Sequence, residues 1–177
     1  LTRPEQLWVA DITYIGNRKN PIYLALVTDA YSKKIVGYDV SDSLHTIGSA
    51  NALKNALKHR KCKNEMLIHH SDRGLQYCSN EYQKIISKNN LLCSMTESYD
   101  PYQNAVAERI NGILKQEFLM NTSNVNLKTM KIIVKESIEI YNQKRPHWSC
   151  YMLTPNEMSI QREIKIKTYK NKNLQRV

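Results

Sequence analysis

The segment Leu7–Ile15, LWVADITYI, constrains the fold more than any other part of the chain. It is dense in β-branched and aromatic residues and apolar on both faces, the pattern of a central strand. Two further strands are expected at Ile22–Thr28 and Ile35–Val40, and the polar turn Tyr31-Ser32-Lys33-Lys34 between them predicts a meander. From about Thr46 to Arg60 the period lengthens. Ile47, Ala50, Leu53 and Leu57 form a helical stripe, and His59-Arg60-Lys61 suits a helix C-terminus. A short strand at Met66–His70, a helix at Asn80–Lys88 and a strand at Leu91–Met95 come next. Two longer helices follow, near Asn104–Leu119 and Leu127–Lys144, with Pro146 stopping the second. Three antiparallel strands, then helix–strand–helix–strand, then two helices, predict an α/β layer arrangement on a mixed sheet.

A chain of 177 residues is one domain with at most a short appendage, and it is large enough to fold without a disulfide or metal staple. Residues 1–148 read as the globular core and 149–177 as a basic C-terminal tail, with at most one short helix after Thr154-Pro155. The four cysteines (Cys62, Cys78, Cys93, Cys150) are far apart and form no Cys-x-x-Cys pair, so reduced thiols and a cytoplasmic location are expected. No apolar run approaches the roughly 20 residues that span a bilayer, and Leu-Thr-Arg-Pro-Glu-Gln lacks the apolar stretch of a signal peptide. The formal charge is +10. Arg162, Lys165, Lys167, Lys170, Lys172 and Arg176 account for part of the excess, but the rest of the chain is itself basic. That balance favours a polyanionic partner over a neutral or acidic one.

Three carboxylates stand out. Asp11 lies among Trp8, Val9, Ala10, Ile12 and Tyr14, where a buried, unpaired carboxylate is costly. It is either a strand-end residue facing water or a carboxylate held at the sheet to bind a cation. Asp72 follows the strand Met66–His70 in Ser71-Asp72-Arg73-Gly74, which is either an ordinary turn or a strand-end site. His69 and His70 are adjacent, but no third nitrogen or sulfur ligand sits nearby in sequence. On the next helix Asn104, Glu108, Asn111 and Lys115 fall within an arc of roughly 60°, with Val106, Ile110, Ile113 and Leu114 opposite. This stripe is either a solvated face or a place where a carboxylate holds a metal while Lys115 meets a phosphate. Carboxylates from two strands and a helix would make an oxygen-rich site of the kind Mg²⁺ prefers. On a basic body, such a site points to phosphodiester chemistry.

Several ordered motifs carry a family resemblance. They are Trp8-Val9-Ala10-Asp11-Ile12-Thr13-Tyr14, His70-Ser71-Asp72-Arg73-Gly74 with Gln76-Tyr77, Asn104-Ala105-Val106-Ala107-Glu108-Arg109 with Leu114-Lys115, and Tyr141-Asn142 with Arg145-Pro146-His147 and Thr154-Pro155. Over about residues 5–158 the chain resembles the catalytic core of bacterial insertion-sequence transposases, the retroviral-integrase-like group made from two overlapping reading frames. Thirty-five residues separate Asp72 from Glu108, the spacing of that family's acidic triad. The resemblance implies a ribonuclease-H-like fold with a mixed five-stranded sheet, three antiparallel strands then two parallel, flanked by helices. It implies Asp11, Asp72 and Glu108 as the catalytic, metal-binding triad, holding two Mg²⁺ ions with Mn²⁺ as substitute. The implied activity is nicking at the element end to free a 3′-hydroxyl, followed by transfer of that strand to another DNA phosphodiester.

The same resemblance gives Lys115 a contact with terminal DNA. Arg109, Asn104, Arg73 and Gln76 are further candidate DNA contacts. Self-association on DNA is expected, because transposition holds two ends together. The family often has Asp before the Asn-Ala pair, where this chain has Gln103. The helix-turn-helix that the family carries upstream has no counterpart in these 177 residues, so DNA binding through backbone charge is expected. A hydrolytic nuclease of the same fold and a non-catalytic or domesticated DNA-binding remnant are the alternative readings. Tyr141, Arg145 and His147 are expected to anchor the last long helix, and Asp29 to serve the turn at Ser32.

Overall fold

Strand β1 (Leu7–Gly16) runs through the middle of a five-stranded sheet in the order β3-β2-β1-β4-β5 in a computed structural model that describes residues 1–17, 21–96, 104–118, 120 and 125–162. β2 (Pro21–Asp29) and β3 (Ile35–Ser41) continue from it as the antiparallel meander, while β4 (Ile68–Ser71) and β5 (Leu92–Met95) lie parallel to it on the other side. The sheet is therefore mixed as expected. β4 starts later than the sequence suggests, because Met66 points into solvent.

Alternation along β1 and β2 separates the core into two layers. Trp8, Ala10, Ala25 and Val27 face α1 (Thr46–Lys58) and α3 (Asn80–Lys88), where they meet Leu53, Ala56, Tyr82 and Ile86. Ile15, Leu24 and Leu26 face α4 (Ala105–Glu117) and α5 (Leu127–Lys144), where they meet Ile110, Leu114, Val134 and Tyr141. Both faces of the central strands are covered, which accounts for their apolar character on both sides. The helix expected over Asn104–Leu119 ends at Glu117, and Leu119 lies outside the described residues. A four-residue helix, α2 (Leu75–Cys78), lies in a stretch for which the sequence predicts no element.

The last long helix is pinned where its motif residues sit. Tyr141 donates its hydroxyl to the Lys33 carbonyl at 2.8 Å. Asn142 meets both backbone groups of Ile35, accepting from its N–H and donating to its carbonyl at 3.0 Å each. Arg145 makes a two-pronged contact with Glu117 at 2.6 Å, tying α5 to the end of α4. His147 packs edge-on against the Tyr141 ring. Asp29 is buried, and it accepts hydrogen bonds from the Glu5 N–H and from the Ser32 N–H and hydroxyl, so it organises the turn after β2. Burial raises its pKa, and these donors partly offset that cost.

Packing continues past residue 148. A turn of 3-10 helix at Trp148–Cys150 buries Cys150, and Thr154 caps α6 (Pro155–Met158) through a reciprocal capping box with Glu157. Met158 is buried, and Arg162 pairs with Glu65 at 2.7 Å. The segment after Ser149, read in sequence as weakly structured, is thus seated on the core as far as residue 162. Its apolar anchors are too sparse to show a period. Residues 163–177, which carry most of the tail's basic side chains, lie outside the described residues.

Two glycines respond differently to an added methyl group. At Gly37, α1 crosses so closely that a Cβ would lie 2.2 Å from the Ala52 carbonyl and 2.7 Å from the Ala56 nitrogen. At Gly112, inside α4, nothing lies within 4 Å of that position. Gly37→Ala is expected to lower unfolding free energy by about 1–3 kcal/mol through forced separation of α1 from β3. Gly112→Ala should raise it by roughly 0.5–1 kcal/mol through helix propensity. Urea melts of the two variants check both signs.

Candidate active site

β4 pairs with β1 only over Leu7–Val9, the last pair being Val9 with His70. β1 runs on beyond this point without β4 beside it. Continuing the register sets Asp72, just past the end of β4, level with Asp11. The carboxyl end of a parallel strand is where α/β sheets leave room for ligands.

Asp11 is half-buried and engaged at both oxygens. Its Oδ1 accepts from the Ile12 N–H at 2.9 Å and its Oδ2 from the Asn111 amide at 2.7 Å. Burial, first of all, lifts its pKa from 3.8 to about 6, and the charges of Asp72 and Glu108 push in the same direction. The groups that act on it most strongly include no cation. Asp72 is exposed, and its Oδ1 accepts from the Gly74 N–H at 2.9 Å. A Cβ at position 74 would sit 2.9 Å from that same oxygen, so Gly74 gives the Asp72 carboxylate its room. Glu108 is exposed in the first turn of α4, and its charge reaches Asp11 across the gap between helix and sheet.

The polar stripe on α4 is turned partly toward the sheet. Asn111 is buried and bonded to Asp11, and Asn104 is buried with its amide 3.4 Å from the Ala10 carbonyl. Asn104 therefore faces β1. The role of Asn111 went unread in the sequence; the available signal was its position three residues after Glu108 on the same helix face. Lys115, two turns beyond Glu108, is half-buried, and Arg109 and Arg73 are exposed. Gln76 donates to the Leu44 carbonyl at 2.9 Å. His69 points into the core, where Tyr82 bonds its Nε2 at 2.9 Å; burial lowers its pKa to about 4 and keeps it neutral. His70 Nδ1 meets the Ser94 hydroxyl at 2.9 Å. Gln103, the departure from the family pattern, lies outside the described residues.

Among the described residues, no three His, Cys, Asp or Glu side chains converge as closely as a shared metal ion requires. The donor chemistry nevertheless fits a hard divalent cation. Asp11, Asp72 and Glu108 offer oxygen only, from three elements, and their mutual repulsion is of the kind a bound cation relieves.

The raised pKa of Asp11 has a measurable consequence for the metal-free protein. A carboxyl whose pKa is higher folded than unfolded destabilises the fold above both values, and this penalty fades as pH falls from about 6 to 3.8. Asp11→Asn should therefore stabilise the metal-free chain at pH 8 by about 1–2 kcal/mol. That advantage should shrink toward pH 4 in paired thermal melts.

Two models of the family described as "Integrase core domain" match residues 2–101 and 89–155. The transposase for insertion sequence element IS629 of Shigella sonnei is 36% identical over 143 residues, covering 81% of this chain and 48% of that protein. Transposase InsF for insertion sequence IS3A of Escherichia coli is 33% identical over 172 residues, covering 97% of this chain and 56% of that protein. The chain thus spans about half the length of these curated relatives. Among solved structures, the magnesium complex of the HTLV-2 integrase catalytic core domain in its trimeric form superposes with a TM-score of 0.68 at 18% identity, covering 89% of this chain and 97% of that one. A chain of the simian T-cell lymphotropic virus intasome, solved with PP2A regulatory subunit B56 gamma, gives a TM-score of 0.75 at 18% identity over 91% of this chain and 56% of that one. These neighbours share the ribonuclease-H-like sheet order and flanking helices seen here. With a family model spanning more than half its residues, the chain belongs to the integrase core domain family, and along most of its length it is similar to insertion-sequence transposases.

Proposed function

We propose that this chain is the catalytic domain of a DNA transposase that nicks the element end to free a 3′-hydroxyl and then joins that hydroxyl to a DNA phosphodiester. The observation that carries the reading is the placement of Asp11. It is half-buried beside the end of β4, within the field of Asp72 and Glu108, with no cation among the groups that act on it most strongly. An ionised carboxylate in that position is costly unless a cation completes the site. Asp11, Asp72 and Glu108 would hold two Mg²⁺ ions, with Mn²⁺ as substitute. When bound, such ions activate an attacking oxygen and stabilise a leaving one in an in-line displacement.

The protein's own groups then have separate tasks. Asn111 fixes the orientation of the Asp11 carboxylate through its 2.7 Å hydrogen bond. Gly74 steadies Asp72 through its N–H while leaving the carboxylate unobstructed. Glu108 supplies its carboxylate from α4, opposite the sheet. Lys115 and Arg109 on α4 and Arg73 beside Asp72 meet DNA phosphates, while Asn104 and Gln76 support the backbone they already bond. One site serves both steps, because nicking and joining are phosphoryl transfers that differ only in whether water or a DNA hydroxyl attacks. The +10 charge supplies a backbone grip that carries no sequence information. Choice of element ends belongs, in this reading, to another part of the full-length protein, and two copies assemble on paired ends.

The full-length transposase, a labelled duplex carrying the element's terminal sequence and Mg²⁺ together test the proposal. Asp72→Asn and Glu108→Gln should each lower nicking and joining by more than about a hundredfold. Activity equal to wild type in either variant would contradict the assignment. Lys115→Ala should weaken end binding and reduce its salt dependence by about one charge, read from affinities at several ionic strengths.

A further inference from the structure

A cleft of about 550 Å³ lies where the turn after β2 meets the segment that follows α5. Lys33 and Arg162 line it together with Tyr31, Ser149, Tyr151 and the buried Met158. None of its described lining residues is acidic. Lys33 gives its ammonium to the Ala30 carbonyl and forms no ion pair among the described residues. Arg162 meets Glu65 at 2.7 Å, yet its side chain stays 60% exposed. Two cations beside two phenol rings, without a lining carboxylate, suit a group that joins negative charge to a flat surface.

The backbone fixes one of those rings at a cost. Tyr151 has φ 56° and ψ 36°, and Met152 follows with φ 63°. Two successive residues bearing a Cβ thus take the left-handed conformation that favours glycine. Such strain persists only where the surroundings over-determine it, and it gathers at places that bind or act. Here the Met152 N–H bonds the His147 carbonyl at 2.9 Å, the Leu153 N–H bonds the Cys150 carbonyl at 2.9 Å, and the His147 N–H bonds the Leu153 carbonyl at 3.0 Å. Cys150 is buried, with its thiol 3.7 Å from the Ser32 carbonyl. The turn therefore holds Tyr151 on the surface, half exposed, as a fixed wall of the cleft.

The cleft is joined to the carboxylates. A second hollow, of about 410 Å³, shares Ala30 and Lys33 with the first and extends to Val9 of β1 and Val106 of α4. Val9 precedes Asp11 by two residues on the same face of its strand, and Val106 precedes Glu108 by two in the first turn of its helix. The two hollows make one path from beside the acidic residues to Tyr151, with Lys33 between its halves. A path suits a strand better than an isolated nucleotide.

We infer that this cleft is a second DNA subsite, in which Lys33 and Arg162 hold a phosphate of a strand running on from the carboxylates and Tyr151 stacks on an unpaired base. The inference rests on reading the partner as DNA. Stacking accepts any base, so the subsite favours single-stranded or frayed DNA over paired DNA without selecting a sequence.

The test measures fluorescence anisotropy of the 177-residue chain, without metal, on a labelled duplex with a short single-stranded tail and on its blunt counterpart. Wild type should bind the tailed duplex about tenfold more tightly. Tyr151→Phe should keep that preference, and Tyr151→Asn should abolish it while leaving the blunt duplex unaffected. Asparagine accepts the left-handed backbone, so Tyr151→Asn should melt at or near the wild-type temperature. Lys33→Gln should reduce the salt dependence on the tailed duplex by about one charge. An iodouracil in the tail of a wild-type complex should crosslink on irradiation to Tyr31 or Tyr151, as read by peptide mapping. Equal binding of both duplexes by wild type, a tail preference that survives in Tyr151→Asn, or crosslinks confined to other residues each overturns the inference. A free deoxynucleoside monophosphate that displaces the tail as well as a single strand does reassigns the cleft to a mononucleotide and overturns it too. A chain that binds neither duplex overturns DNA as the partner, and this inference with it. Tail preference that stands while the full-length protein neither nicks nor joins leaves the subsite in place and removes only the proposed chemistry.

Discussion

Strand β1 is bonded along one side over its whole length but along the other only from Leu7 to Val9. That unequal pairing governs the molecule. The bonded side and the first three residues seat β1 deep in the sheet, with Trp8 and Ala10 fully enclosed. Where β4 ends, the strand keeps its ladder on one edge and loses it on the other. Asp11 lies at that transition, fixed in position by the β2 ladder and desolvated enough to disfavour its charge. A loop could place a carboxylate as close to its neighbours, but it would not hold the residue there against their repulsion.

The second demand is that α4 stay near this transition. Its apolar face, Ile110, Ile113 and Leu114, packs in the layer shared with α5, and Arg145 grips Glu117 at its far end. The helix is thus secured by contacts remote from Glu108, which remains exposed in the first turn. Asn111 is the one side chain of α4 seen to bond a carboxylate of the sheet among the described residues.

Much of the fold could be read from period alone. Leu7–Ile15, the meander turn and the stripes of α1 and α5 announce themselves, because each buries a face at its own regular spacing. Features built by tertiary contact could not be read that way. The helix Leu75–Cys78 is too short to show a period and follows a Gly that looks like a turn. The seating of Cys150 depends on a surface contributed by Ser32, more than a hundred positions earlier. In the site, the three acids stand out because carboxylates are conspicuous beside apolar segments. Asn111 does not: an amide on a polar helical stripe looks ordinary until the sheet is placed beside it.

Asn142 has a consequence beyond anchoring α5. β3 is an outer strand, and its first residue, Ile35, turns its N–H and carbonyl away from β2, where another strand would otherwise add. The Asn142 amide takes both groups, presenting the acceptor and donor that a neighbouring backbone would bring. One side chain thus acts as a stopper at the start of the edge, and it discourages the sheet of one molecule from extending into that of the next. The start of that edge is thereby closed to a pairing that no other contact among the described residues would limit.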